Sequence, residues 1–354
     1  MSKELKVGII GTGAIADIKH GPGYQDLEDA SIVAACDLVE ERVEKFAGKF
    51  DVPHTFTDYE KMLEMDELDA VSVCTWNRAH ADPTIAALEA GKDVLCEKPL
   101  AHNAADGERM VEAAERTGSV LQIGLQSRFK PGNIALKQLF DEGTFGDVYY
   151  GRAMAVRRRG IPVGSFIEES KAGGGCLIDI GVHILDCLLW IIGYPKPVEA
   201  FGSVATKFGK REEVINPNAW GTGERDPDLF SVEDFGVGQI RFEDGLTVTL
   251  ETSWASHVEE SGKTFFMGDR AGATLTPPKI FTDTEDKMIG YSPAAAVNEA
   301  GTSSEFLGEF ESFQKAVWEG GPSPVPAEEV LTTAKIFDAI YESAEKGGAV
   351  EIEA

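Results

Sequence analysis

Three stretches of the chain carry residues whose types and spacing suit chemistry on a small molecule. The first is Gly11-Thr12-Gly13-Ala14-Ile15-Ala16. Gly11 permits a tight turn, and Gly13 lets the backbone come close to a pyrophosphate. Ala16, in the place of a third glycine, permits close helix–strand packing. A helix opened by such a turn presents N–H donors and the positive end of its dipole to phosphates. Asp37 follows at about the 20-residue spacing expected of an acid that binds ribose hydroxyls and repels a 2′-phosphate. Asp37 can equally cap a helix beginning at Leu38, or do both. The turn and the acid together point to a dinucleotide, with NAD favoured over NADP.

The second stretch is Glu97-Lys98-Pro99, directly after the apolar run Asp93–Cys96. Lys98 there stands at the carboxyl end of a strand, where ligands bind in open α/β sheets. Partial burial lowers a lysine's proton affinity and suits it to move the proton of an alcohol. An exposed loop lysine is the plain alternative. The third stretch runs from Gly173-Gly174-Gly175 to Asp179, His183 and Asp186. On a regular helix these last three share one face, and a histidine oriented by a carboxylate exchanges protons near neutral pH. A solvated polar stripe or a buried hydrogen-bonded pair fits the same spacing. No metal site is expected, because only His183 here is a good transition-metal ligand and no other histidine lies nearby in sequence.

The elements that position these residues fall into two patterns. Up to residue 124, strand-like runs (Lys6–Ile10, Ser31–Cys36, Ala70–Cys74, Asp93–Cys96, Val120–Gly124) alternate with helical ones (Glu40–Lys49, Thr84–Ala90, Ala104–Thr117). This rhythm predicts a parallel sheet covered on both faces. Beyond it, helices are expected at Gly132–Glu142, after the glycine run as far as Ile192, and at Glu305–Trp318 and Ala327–Glu345. Strands are expected at Val148–Val156, Val198–Thr206, Asp234–Phe242 and Thr247–Ser253. Glu243-Asp244-Gly245 is a hairpin turn between the last two. An α/β chain of two domains is predicted, residues 1–124 and 125–354. Val237, Ile240, Phe242, Val248 and Leu250 read as apolar on both faces of the second sheet, which predicts a homo-oligomer (dimer, tetramer or hexamer).

Composition narrows the partners. A net charge of −27, from 33 basic and 60 acidic residues, opposes binding to nucleic acid or to an anionic membrane surface. The start of the chain lacks a signal-like apolar run, and no apolar run approaches the ~20 residues of a membrane span. The five cysteines form no CxxC pair and read as reduced, buried thiols. A cytoplasmic protein is expected.

In order along the chain, these pieces resemble the glucose–fructose oxidoreductase / inositol dehydrogenase / rhizopine-catabolism family. The resemblance rests on the Gly11–Ala16 turn, Asp37, Thr75-x-Asn77-x-x-His80 and Glu97-Lys98-Pro99. It continues through Asp179-x-x-x-His183, Val232-Glu233-Asp234 and Trp254, and so covers nearly the whole chain. It implies an N-terminal NAD-binding Rossmann domain and a C-terminal α/β domain with a large, open, mainly antiparallel sheet. It also implies that Lys98 and His183 handle the proton, with the base left open between them, and that Asp179 orients the substrate and His183. Thr75, Asn77, His80, Glu97 and Gln126 would line the cofactor site, with Arg128 near the nicotinamide side. Trp76 stands where many members have proline, and either stacks on a ligand or packs. Arg157-Arg158-Arg159 resembles members that oxidise glucosides, anhydrosugars or cyclitols, with Arg158 toward the substrate. The activity implied is NAD-dependent oxidation of a secondary alcohol, for instance C3 of a glucoside. A non-catalytic NAD-binding regulator and a reductase of another carbonyl are the alternatives.

Overall fold

The structure is a computed structural model that describes residues 4–353 except 222, 224 and 294–304; Met1, Ser2 and Lys3 of the expected leader-free start lie outside the described residues. The chain divides into two units. The first holds Met1–Gln126 and Ser303–Leu331, the second Ser127–Thr302 and Thr332–Ala354. The expected two ranges, broken once at residue 124, do not include the return of Ser303–Leu331 to the first unit.

The first unit is built on six strands: β1 (Leu5–Ile10), β2 (Ala30–Cys36), β3 (His54–Phe56), β4 (Ala70–Val73), β5 (Asp93–Glu97) and β6 (Leu121–Gly124). Their order is β3-β2-β1-β4-β5-β6, and every pair is parallel. Near-continuous apolar strands such as β1 (LKVGII) and β4 (AVSV) bury both faces, as parallel sheets require. Parallel pairing also puts the carboxyl ends of all six strands along one edge. The residues after β1, β2, β4, β5 and β6 are Gly11, Asp37, Cys74-Thr75, Lys98 and Leu125-Gln126. The helix Glu305–Glu319 completes the core, where Phe310 and Phe313 are fully buried among Leu5, Ile9, Tyr24 and Phe46.

The second unit carries β7 (Val148–Val156), β8 (Pro197–Ala205), β9 (Phe235–Phe242), β10 (Thr247–Ser253), β11 (Ser261–Gly262), β12 (Phe265–Gly268), β13 (Ala271–Leu275), β14 (Pro278–Thr284), β15 (Lys287–Tyr291) and β16 (Val350–Glu351). Nine of them run in the order β15-β14-β13-β12-β7-β10-β9-β8-β16, with β11 on β7. The sheet is mixed: β7 and β10 are parallel, and the other described pairs are antiparallel. Gly245, at φ +88°, makes the expected turn between β9 and β10. Helices cover one face closely. A Cβ on Gly238 would stand 2.5 Å from Ile340, and one on Gly236 2.4 Å from Leu177.

Two expectations change here. Ile240, Phe242, Val248 and Leu250 all lie on the covered face, so of the five apolar residues only Val237 is on the other side. The segment Glu169–Ile191 is, by length and composition, long and apolar enough to cross a membrane, contrary to expectation. Of its most apolar 18-residue stretch, 83% is buried inside the protein, the pattern of a core helix.

Candidate active site

In the first unit the glycine turn is dictated by crowding on one side and space on the other. Gly11 has φ +90°, and a Cβ there would stand 2.9 Å from the Cys74 backbone. A Cβ on Gly13 would meet nothing within 4 Å, so its backbone faces open space. Ala14 and Ile15 begin the helix, which passes through a π-turn at Ala16–His20 before continuing to Asp26. Such wide turns frequently mark functional sites. Asp37 accepts from Thr12 N (2.9 Å), Thr12 Oγ1 (3.2 Å) and Val39 N (2.9 Å). It therefore ties the glycine turn to β2 and also caps the chain ahead of the helix Glu40–Phe50. An ionised carboxylate has about four acceptor sites, so the carboxylate retains capacity for a ligand hydroxyl.

The Glu97-Lys98-Pro99 corner rests on a buried ionic junction that the sequence did not announce. Lys19 Nζ lies 2.7 Å from Glu97 Oε1 and 2.8 Å from Glu309 Oε1. His20 Nε2 lies 2.9 Å from the same Glu97 oxygen. The other oxygen, Oε2, accepts from Lys98 N at 3.1 Å. Burial pushes the Glu97 carboxyl up, but the Lys19 ammonium and the His20 contact outweigh it and hold it well below the usual range. Burial lowers Lys19 as well, and Glu309 and Glu97 together more than reverse this, so its proton is retained. Burial lowers His20, which is neutral at pH 7. Glu97, expected to line the cofactor site, is instead a 4%-exposed anchor for the backbone of half-buried Lys98.

His80 plays a similar part. It is 1% exposed, with Nδ1 2.8 Å from Pro99 O and Nε2 3.2 Å from Thr75 O. It pins the corner after β5 to the loop after β4, where Thr75 Oγ1 donates to Ala79 O. His80 is thus a fastener rather than an exposed lining residue. Asn77 and Gln126 are half-buried, in the segments that follow β4 and β6. Trp76 is 38% exposed, so it does not pack into the interior.

In the second unit the glycine run is imposed by packing. A Cβ on Gly175 would stand 1.9 Å from Glu233 O, and one on Gly174 2.3 Å from Tyr341 Oη. The Glu233 carboxylate accepts from Gly175 N (2.8 Å), Leu177 N (3.0 Å) and Tyr341 Oη (3.0 Å), stapling the start of the helix that carries Asp179. That helix opens with a second π-turn, Leu177–Gly181, and continues as Val182–Ile191. Trp254, fully buried, donates from Nε1 to Asp179 Oδ2 at 2.9 Å. Asp179 is itself 6% exposed, and His183 is half-buried.

Asp186, expected beside Asp179 and His183, is committed to another partner. Asp186 is fully buried and takes Arg128 Nε (3.0 Å) and Nη2 (2.7 Å), with Tyr194 Oη on the same carboxylate. The π-turn lies between Asp179 and the regular helix Val182–Ile191, and it is the pairing with Arg128 that commits Asp186 to the interior. Arg128, expected near the nicotinamide, is 2% exposed and its guanidinium is engaged in this interior pair. Arg158 lines an open cavity together with Arg159 and His257. Among the described residues no cluster of metal-ligating side chains occurs, and all five cysteines are free and buried.

Known proteins share this design. A model described as "Oxidoreductase family, NAD-binding Rossmann fold" matches residues 5–125, and one described as "GFO/IDH/MocA C-terminal domain" matches residues 134–274. D-glucoside 3-dehydrogenase of Escherichia coli K12 is 34% identical over 355 residues, covering 99% of this chain and 98% of that protein. Myo-inositol 2-dehydrogenase of Thermotoga maritima is 30% identical, covering 59% of this chain and 62% of its own length. A levoglucosan dehydrogenase in complex with NADH has the same fold, with a TM-score of 0.84 at 22% identity and 99% of each chain covered. The fold and the glycine turn define an NAD-binding oxidoreductase. The chain belongs to the GFO/IDH/MocA family. The residues present fit the cofactor: Gly13 leaves room for a pyrophosphate, and Asp37 retains acceptor capacity beside it.

Proposed function

We propose that the protein oxidises a secondary alcohol of a glycoside or cyclitol with NAD, and that C3 of a glucoside is its reacting position. The full-length likeness to a D-glucoside 3-dehydrogenase carries this reading. The held pair of Asp179 and its indole donor supports it, because a fixed carboxylate can grip sugar hydroxyls. When bound, NAD supplies the hydride acceptor. The first unit is assigned to the cofactor and the second to the substrate. Asp179 accepts from a substrate hydroxyl and orients His183. His183 takes the proton released from the oxidised hydroxyl, and Lys98 as a cation stabilises the developing alkoxide. Arg128 and Asp186 support the helix that carries His183. A cytoplasmic setting suits the five reduced cysteines and the NAD chemistry.

Absorbance at 340 nm with NAD and a panel of polyols, cyclitols and glucosides tests the reading. Turnover of none of them, with turnover of an unrelated carbonyl and NADH, would remove it. Titration of both cofactors into cofactor-free protein should give NAD binding at least about tenfold tighter than NADP, because a 2′-phosphate beside Asp37 places like charges together. Equal binding would mean that Asp37 does not face the ribose.

A homo-oligomer joined through the open face of the second sheet is part of the same reading. In register across that face stand Phe201, Val237, Tyr150, Phe265, Met267 and Phe281, and Phe201 and Phe281 are 53% and 49% exposed. These apolar side chains share the face with Gln239, Arg241, Thr249 and the Arg152–Glu251 ion pair, and exposed apolar area of this kind calls for cover. Static light scattering at micromolar concentration should report at least a dimer, and a monomer would defeat the proposal.

A further inference from the structure

The second unit holds a cavity of about 990 Å³ whose walls include Arg158, Ile215, Pro217, Asn218, His257 and Val258. That is near the top of the roughly 300–1,000 Å³ spanned by small-molecule sites. Its walls come from two places. One is the chain just beyond the ends of β7 and β10. The other is the long irregular excursion between β8 and β9. Excursions of that length without regular structure are usually functional or disordered, and this one is fastened. At its root, fully buried Asp234 accepts from Lys207 N (2.9 Å), Phe208 N (2.6 Å) and Gly209 N (2.8 Å). In its middle, Asn216 Oδ1 accepts from Ile161 N (3.0 Å) and Asn216 Nδ2 donates to Ile161 O (2.8 Å).

This fastening holds two apolar side chains outward. Ile215, beside the pinned Asn216, is 83% exposed, and Val258 is 59% exposed. Both line the cavity, so apolar surface is presented to it from a fixed frame. One wall residue of the cavity is close in the chain to Trp254, which holds Asp179. His257 follows Trp254 by three residues, which span at most about 11 Å of extended chain. Phe208, edge-on to His257 at 5.0 Å, belongs to the same buried cluster as Trp254 and Ile180.

We propose that this cavity is an aglycone subsite for aryl glycosides, extending the sugar site proposed above and resting on that reading. The sugar ring is held at Asp179. The aryl group lies against Ile215, Pro217 and Val258, with the Arg158 guanidinium available to stack on its face.

The test compares phenyl glucoside with methyl glucoside in NAD reduction. Phenyl glucoside is expected to show a KM about tenfold lower, the scale of modest apolar contacts in a pocket. The Ile215→Ser/Val258→Ser double variant should bring the ratio of the two KM values close to one. Met288→Ser, on the 91%-exposed tip of β15, should keep the wild-type ratio. Equal KM values in the wild type, or a difference that survives the double variant, overturn the proposal. So does a double variant whose mass in solution changes while the ratio does not, since the patch is then an interface between copies. If neither glucoside turns over while another alcohol does, the glucoside reading fails separately. Calorimetric titration of phenyl glucoside then decides the subsite: binding lost in the double variant supports it, and no binding in the wild type removes it.

Discussion

Lys98→Ala is expected to lower kcat by about 10²-fold or more while leaving NAD affinity nearly unchanged, the usual scale for loss of a group that acts on a transferring proton. The backbone of Lys98 is anchored by its own neighbour, since Glu97 Oε2 accepts from Lys98 N at 3.1 Å. Truncating the side chain leaves that anchor and the Lys19 junction in place. The variant should therefore fold normally and retain the glycine turn and Asp37, and a fluorescence titration with NAD checks this. Near-normal turnover in such a folded variant would take Lys98 out of the chemistry. His183→Asn provides the comparison. If His183 receives the proton, the rise of kcat/KM between about pH 6 and 8.5 should flatten in that variant and persist in Lys98→Ala at reduced height. A limb unchanged in His183→Asn would transfer the role to Lys98.

The second large effect is on stability. Lys19→Met removes the single ammonium that two interior carboxylates, Glu97 and Glu309, share. Breaking a buried pair in this way costs about 3–5 kcal/mol, because the partner charges stay buried once the ammonium is gone. The pH dependence follows from the direction of the shifts. In the wild type Glu97 is held well below its ordinary value, so its contribution is present at neutral pH and fades as acid protonates it. In the variant the Lys19 contribution is lost while burial, the largest influence on Glu97, remains, so the folded-state value of Glu97 rises. The cost of burying its charged form is then full near pH 8 and shrinks as the pH falls toward 5. Urea unfolding followed by circular dichroism at both pH values should show a large gap at pH 8 and a smaller one at pH 5. A variant as stable as the wild type at pH 8 would show that the junction does not bear on folding.

What could be read from the sequence depended on how local the signal was. The Gly11–Ala16 turn, β1 and the Glu243–Gly245 hairpin are set by neighbours within a few residues, and all were legible. Lys19 was not. Its partner Glu97 lies 78 residues away, and a lysine in a first helix reads as an ordinary solvated residue. A hint was present, since Lys19-His20 follows apolar Ala14–Ala16 on a helix that must pack against the sheet. The pairing of Asp186 with Arg128 was not legible because the two lie 58 residues apart in the chain. Glu233, Asp234 and Trp254 were noticed without a role, because each acts on atoms far along the chain. Strands β3 and β11 to β16 escaped because most are only two to five residues long or, like β14 and β15, largely exposed.

The return of Ser303–Leu331 to the first unit sets a schedule for biosynthesis. Phe310, Phe313 and Glu309 emerge from a ribosome about 180 residues after Gln126, a delay on the order of 10–40 s at typical elongation rates. Throughout that interval the nascent first unit has its six strands but not the helix that covers Leu5, Ile9 and Tyr24. Lys19 meanwhile has only Glu97 to neutralise it. The usual order, in which an amino-terminal domain closes before its successor is made, is denied to this chain. Its cofactor unit closes only after nearly all of the second unit has been synthesised, and until then it presents an apolar surface of the kind that chaperones hold.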